Sequence, residues 1–334
     1  LKPFIVPLFI PHQGCPHTCL FCNQRTVTGA GADLPSVSTA VEAALCSPRR
    51  RSRPVEVAFY GGNFASLPES VQRGLLDPCQ VYLKAGTVRS VRISTRPDSL
   101  DANRIRFLKA QRVGTVELGV QSLDNQVLKQ NLRGHSAEDV ERAVGLLREA
   151  DMVVGIQLML GLWGDTPDGM LRTARKTVAL KPQLARIYPT LVLAGSALAR
   201  LYRSGRYRPL SVVQAVRQCV EAADILEAGG VRVIRMGLQD TPGLSSGGVL
   251  AGPHHPAFGE LVRSAQWNRR ARLLLSERRP RMSARFYVHP SQVSKFAGQQ
   301  GSNLAELKSE WNLQQASVVS DPSLLPHEVR LESS

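Results

Sequence analysis

Gly14-Cys15-Pro16-His17-Thr18-Cys19-Leu20-Phe21-Cys22 is the stretch on which the reading of this chain turns. Cysteines spaced three and then two residues apart, in a loop holding glycine and proline, can converge three sulfurs on one centre. Thiolates in that arrangement are natural ligands for an iron–sulfur cluster. The alternative is a zinc site made of the same cysteines with His12 or His17. Zinc motifs usually come as paired Cys-x-x-Cys units, however, and Cys46, Cys79 and Cys219 form none. Cys219 shares a helical stripe with Val212, Val216, Ala223 and Leu226 and reads as a core thiol.

Outward from this loop, short β-rich runs alternate with helical patterns. Strands are expected at Phe4–Ile10, Val55–Tyr60, Val88–Ser94, Thr115–Val120, Val153–Met159 and Ala185–Val192. Ser136-Ala137-Glu138-Asp139 has the form of a capping box. Thr166-Pro167 sets a cap residue before a proline at the first helical position. Strand-then-helix repetition means a parallel sheet with right-handed crossovers. The expected fold is α/β, a partial (β/α)6 TIM-type barrel over residues 1–230. A further strand, Val231–Met236, opens an extension over 231–280 that caps the barrel. It includes a helix from about Phe258 to Glu277 and ends near Pro280. Residues 281–334 form a small α+β module.

The 334 residues carry 42 Lys and Arg against 27 Asp and Glu, a net charge of +15. Such an excess favours a nucleic acid or another polyanion as partner. Arginine outnumbers lysine, so codon bias is the competing explanation. No apolar run reaches the roughly 20 residues of a membrane span, so no membrane partner is expected. Leu1–Ile10 lacks the form of a secretory signal. Six scattered or clustered cysteines in a chain of this length suit a reducing cytoplasm rather than a disulfide framework.

Barrel active sites lie at the carboxyl ends of the strands, and several motifs fall there. Tyr60-Gly61-Gly62-Asn63 follows the second strand, where glycines let a ligand approach the backbone. Ser94-Thr95-Arg96-Pro97-Asp98 closes the third. Glu117, Gly119 and Gln121 share one face of the fourth. Inward-pointing Glu117 and Gln121 need polar partners; a ribose would serve, and an ion pair of Glu117 with Arg92 or Arg96 is the alternative. Gln157 lies on the fifth strand. Arg133 can pair with a carboxylate in two parallel hydrogen bonds, or simply end a surface helix. His254 and His255, in a Gly/Pro loop, either face the barrel cavity or hold the loop.

The C-x3-C-x2-C spacing, with Phe21 just before the last cysteine, resembles the signature of the radical S-adenosylmethionine (SAM) superfamily. That resemblance implies a 4Fe–4S cluster on Cys15, Cys19 and Cys22, with one iron left for SAM. It implies reductive cleavage of SAM to a 5′-deoxyadenosyl radical, with electrons from a protein such as flavodoxin or ferredoxin. It implies that Gly61, Gly62 and Asn63 meet the SAM amino group, and that Thr95, Glu117, Gln121, Arg133 and Gln157 complete its pocket. Asn63 departs from the Glu, Ser or Thr more usual there.

A closer resemblance covers roughly residues 4 to 240. Val116-Glu117-Leu118-Gly119-Val120-Gln121, Asn131-Leu132-Arg133-Gly134-His135, Ile187-Tyr188-Pro189 and Gly205-Arg206-Tyr207 are similar to the radical SAM half of the Elongator catalytic subunit family. That family modifies wobble uridine in tRNA, which implies an RNA base as substrate here. The compact cysteine loop departs from Elongator, whose first cysteine is far from the other two. Residues 281–334 leave no room for its acetyltransferase domain, so acetyl-CoA chemistry is not carried over. Radical chemistry on a small metabolite, as in coproporphyrinogen oxidase relatives, and an RNA-binding protein with structural zinc are the rival functions.

The tail reads as strand, helix, Gly298-Gln299-Gln300-Gly301, helix, strand. This resembles the KH fold, whose glycine loop clamps the backbone of single-stranded nucleic acid. Lys295 lies beside the loop, and Ser302 is expected to cap the second helix. Upstream, Arg263, Arg269, Arg270, Arg272, Arg278, Arg279 and Arg281 either track an RNA backbone or form a solvated helix face.

Overall fold

The computed structural model describes residues 3–10, 12–16, 18–24, 36–239, 241, 243–280 and 282–333. His17 and Arg281 lie outside the described residues. Seven parallel strands form the main sheet, in the order β1-β2-β3-β4-β5-β6-β8. They are β1 Phe4–Phe9, β2 Val55–Tyr60, β3 Val88–Thr95, β4 Val113–Gln121, β5 Val153–Leu160, β6 Leu184–Pro189 and β8 Arg232–Met236. A short antiparallel pair of β7 (Val192–Leu193) and β9 (Val249–Ala251) stands apart. The sheet curls into a half-barrel. It holds one strand more than the six expected, because Arg232–Met236 pairs in parallel with β6 rather than following the barrel.

The helices are α1 Val37–Leu45, α2 Glu69–Lys84, α3 Ala102–Ala110, α4 Asn125–Gln130, α5 Ala137–Glu149, α6 Pro167–Leu180, α7 Ala197–Arg203 and α8 Val212–Ala228. Their starts follow from sequence. Ser136 and Asp139 close the expected capping box, and Thr166 accepts from Gly169 N with Pro167 behind it. Asp101, Asp124, Ser196 and Ser211 cap in the same way. Parallel strands covered by helices are buried on both faces, as in β2, where Val55 to Phe59 are all buried. The core joins these strands to Val140, Val144 and Leu147 of α5 and to Ala215, Cys219 and Leu226 of α8. Among the described residues no helix is long and apolar enough to cross a membrane.

Helix α9 (Phe258–Arg278) ties the barrel to the C-terminal module. Its Val262 sits in the barrel core, while Trp267, Ala271 and Leu275 enter a second core with Phe286, Phe296 and Leu307. There Phe296 lies 4.9 Å from Phe286 and 5.7 Å from Trp267, ring centre to ring centre. The module's sheet has β10 (Ser283–Val288) in the middle, β11 (Gln315–Ser320) parallel to it and β12 (Val329–Ser333) antiparallel. Short helices α10 (Val293–Ala297) and α11 (Ser302–Glu310) flank the glycine loop. Ser302 is the first residue of α11 and not its cap; Gly301, at φ 78°, holds that position without a side-chain bond.

Most of the α9 arginines are spent on structure. Arg263 pairs with Glu227 and Arg269 with Asp224, both on α8. Arg272 pairs with Glu306 and Glu310 on α11. Arg270 lies over the Trp267 ring and donates to His327 O. The helix is a bracket between two bodies and not an open track of charge.

Candidate cluster and cofactor site

The loop after β1 carries the cysteines across the mouth of the half-barrel. Ile10 N donates to Tyr60 O, Asn63 N to Gln13 O and Cys22 N to Cys19 O. The first two bonds lock the loop to the Gly61-Gly62-Asn63 turn after β2, and the third closes a turn within it. The fit is close: a Cβ on Gly14 would stand 2.3 Å from Asn63 O, and one on Gly62 2.4 Å from Gln13 O. Both glycines have positive φ, so each position needs glycine for space and for conformation. Gln24 completes the clasp, accepting from Gly62 N at 2.6 Å and from His12 N.

The three thiols are electrostatic neighbours. Burial pushes Cys22 up to about 12, and the neighbouring Cys19 and Cys15 add to it. Burial also raises Cys15, helped by Cys19 and opposed by Arg96 and Arg133. Cys15 and Cys22 line an open cleft of about 510 Å³ with His12, Pro16, Thr18, Asn23 and Gly195. Among the described residues no three His, Cys, Asp or Glu side chains stand close enough to hold a single metal ion. His12 Nε2 already accepts from Gln24 N at 2.9 Å. The donor set suits a larger, sulfur-liganded group rather than a zinc ion with His12 as fourth ligand.

Arg133, expected on a carboxylate or at the surface, is buried. Its Nη1 donates to Cys19 Sγ at 2.9 Å, and its Nη2 donates to Gly119 O. Gln121 ends β4 with φ 71°, and its Oε1 is buried without a hydrogen bond. The Gln121 amide and Arg133 Nη2 both lie against Gly119, and a buried acceptor left bare is costly unless a ligand satisfies it. His135 is also buried, with neither ring nitrogen in a hydrogen bond of normal geometry, although the Val120 backbone is near. Burial, then Arg133 and Arg96, pushes its pKa down to about 3, so the ring is neutral.

Other expected cofactor residues are engaged within the protein. Asn63 is fully buried and works as a hub. Its Oδ1 accepts from Thr95 Oγ1 at 2.6 Å and Arg96 N at 3.0 Å. Its Nδ2 reaches Ser66 and Ser99, each at 2.7 Å, and Gly14 O at 3.2 Å. Thr95 also accepts from Ala65 N. Thus Asn63 and Thr95 shape the turn through their side chains. Glu117, 1% exposed, takes the ion-pair role: Arg92 Nη1 donates to it at 2.8 Å and Arg186 Nη2 at 2.9 Å. Gln157 Nε2 bonds Ser94 Oγ at 3.3 Å and Glu117 Oε2 at 3.4 Å. Arg92 also pairs with Glu56, and Arg186 with Tyr60. Together these side chains make a charged network that links β2 to β6.

Arg186 and Gln24 were not singled out in the sequence. A lone arginine in the apolar run Leu184–Pro189 was the available signal for the first. His255 Nδ1 accepts from Ala257 N, holding its own loop. His254 lines a separate cleft with Leu244, Val249, Ala251 and Pro256. The glycine loop of the C-terminal module is a tight turn with Gln299 and Gln300 exposed.

A half-barrel with three thiols, a glycine clasp and a bare acceptor at its mouth defines a cluster-dependent enzyme class. A family model described as "Radical SAM superfamily" matches residues 9–177, and "Radical_SAM C-terminal domain" matches 182–267. The chain belongs to the radical SAM superfamily and is an enzyme whose cofactors are a 4Fe–4S cluster and SAM. It is similar to the tRNA uridine(34) acetyltransferase of Dehalococcoides mccartyi, 32% identical over 175 residues, covering 46% of this chain and 38% of that protein. Elongator complex protein 3 of Homo sapiens is 26% identical over 181 residues, covering 47% and 32%. The chain thus spans less than two thirds of these relatives' length. The solved structure of Methanocaldococcus infernus Elp3 has a TM-score of 0.62 at 22% identity, covering 82% of this chain and 62% of that one. It shows a shared fold.

Proposed function

We propose that this enzyme modifies an RNA base by radical chemistry, with tRNA as the substrate class. The observation that carries the reading is the similarity to tRNA uridine(34) acetyltransferases over 175 residues. Cys15, Cys19 and Cys22 would hold the cluster, which would supply the electron for reductive cleavage of SAM. The chain's own residues prepare the site. Gln121 Oε1 accepts from a SAM hydroxyl or amine, and the Gly61-Gly62 backbone borders the same ligand. Arg133 sets positive charge against Cys19. Asn63 and Thr95 fix the turn that holds the cysteine loop. The Glu117–Arg92–Arg186 network ties β3, β4 and β6 together. The module after Pro280 recruits RNA, with Gly298-Gln299-Gln300-Gly301 against the sugar–phosphate backbone and Lys295 beside it. A cytoplasmic setting and a flavodoxin or ferredoxin as electron donor complete the picture.

The test is anaerobic incubation of the reduced, reconstituted enzyme with SAM and unmodified tRNA. The proposal expects RNA-dependent 5′-deoxyadenosine and a nucleoside of altered mass. Turnover indifferent to RNA, with no new nucleoside, contradicts it. Gln299→Glu with Gln300→Glu leaves the turn glycines in place and should weaken RNA binding; unchanged affinity sinks the role of the module.

A further inference from the structure

Between Asp168 and Glu221 the chain has lysines and arginines and no acid. Four of these arginines, Arg200, Arg203, Arg206 and Arg208, are exposed on α7 and the turn after it. Unlike Arg263, Arg269 and Arg272, none has an ion-pair partner among the described residues. Like charges held this close repel one another until a polyanion neutralises them. Aromatic rings are interleaved with them. Tyr202 is 37% exposed, and the Arg206 guanidinium lies 5.9 Å from the centre of the Trp163 ring.

The position of this patch matters as much as its charge. Leu198 N donates to Leu20 O at 2.7 Å, inside the cysteine loop. Leu20 packs with Leu198, Ala199 and Tyr207. Tyr207 Oη donates to Gly161 O at 2.7 Å, fixing the turn over the end of β5. Gly195, two residues before α7, lines the same cleft as Cys15 and Cys22. The arginines are therefore fastened to the rim of the cofactor cleft.

We infer that this rim binds the phosphodiester backbone of single-stranded RNA and holds the target nucleotide at the cysteine cleft. Guanidinium groups suit phosphate, and rings among them suit unstacked bases. The inference rests on the RNA reading above and adds a contact surface at the reaction site, separate from the C-terminal module. Arg200, Arg203, Arg206 and Arg208 contact phosphates, and Tyr202 offers a stacking face.

The test uses the reconstituted holoenzyme and a fluorescein-labelled, unmodified tRNA transcript, with anisotropy read over a salt series. Arg203→Glu with Arg206→Glu changes the rim. Lys84→Glu with Arg112→Glu makes the same charge change just before β3 and β4, at the amino-terminal ends of the strands. Unchanged melting temperatures and iron content establish that both variants fold. The rim variant should lose about tenfold or more in affinity, and its salt slope should fall by about 2, one per phosphate contact. The control should lose less than about threefold. Equal losses in both variants would make the effect one of bulk charge and overturn the rim. Full affinity in the rim variant, with wild type binding RNA, overturns the rim and leaves the RNA reading standing. No binding by wild type overturns both.

Discussion

Arg133 Nη1 donates a hydrogen bond to Cys19 Sγ at 2.9 Å, across 114 positions of sequence. The guanidinium is buried and also holds Gly119 O at the end of β4. It couples the cysteine loop to the strand that carries Gln121. Hydrogen bonds to cluster sulfurs raise the reduction potential. Arg133→Leu should make the cluster harder to reduce, with its potential moving to more negative values in an EPR-monitored titration. Arg133→Lys should recover part of the shift. An unmoved potential in Arg133→Leu would mean that Arg133 only fills space.

Gly62→Ala tests the clasp. The added Cβ would meet two backbone oxygens, Gln13 O at 2.4 Å and Ile10 O at 2.5 Å, which cannot turn away as a flexible side chain can. Together with φ 60°, the cost should be about 1–3 kcal/mol. Iron bound per chain after reconstitution should fall. Gly86→Ala, also at positive φ but with open space around it, should keep full iron content.

Glu117→Gln should destabilise the barrel by about 3–5 kcal/mol, since Arg92 and Arg186 would lose a buried counter-charge. Burial alone would raise the Glu117 pKa, but Arg186 and Arg92 outweigh it and hold the carboxyl below its usual value. Its stabilising contribution is therefore full above the unfolded value near pH 4.5 and is lost as pH falls toward the folded one. Urea unfolding at pH 7, and again below pH 4.5, should show the variant's deficit shrinking in acid. A deficit independent of pH would contradict the ion-pair account.

His135 acts in a different window. Its folded pKa, about 3, lies below the ordinary histidine value of 6.5, so the unfolded chain takes the proton first. Stability should fall as pH drops below about 6.5, by up to about 1.4 kcal/mol per unit from this group alone. His135→Gln should flatten that slope between pH 6 and pH 5, where Glu117 contributes little. A variant with the wild-type slope would show that His135 is protonated in the folded protein.

Much of the barrel is legible in sequence, because fully buried parallel strands leave continuous apolar runs bounded by glycine and proline. The cysteine loop is legible because its ligands are local. What the sequence hides depends on contacts between distant segments. Asn63 looks like a ligand-facing residue, yet its partners Thr95 and Ser99 come from the next strand and turn. Glu117 admits two readings until Arg186, 69 positions away, is seen beside it. The α9 arginines look like free charge because Asp224, Glu227, Glu306 and Glu310 stand on other helices. Strand β8 reads as a departure from the barrel because only the pairing with β6 reveals that the sheet continues.

The central claim is that three cysteines hold a cluster that cleaves SAM. Anaerobic reconstitution with iron and sulfide, reduction with dithionite and assay of 5′-deoxyadenosine tests it most directly, with Cys19→Ala alongside. The account predicts a brown protein that forms product, and a variant that forms none. A colourless protein that binds one zinc ion and makes no product would contradict it.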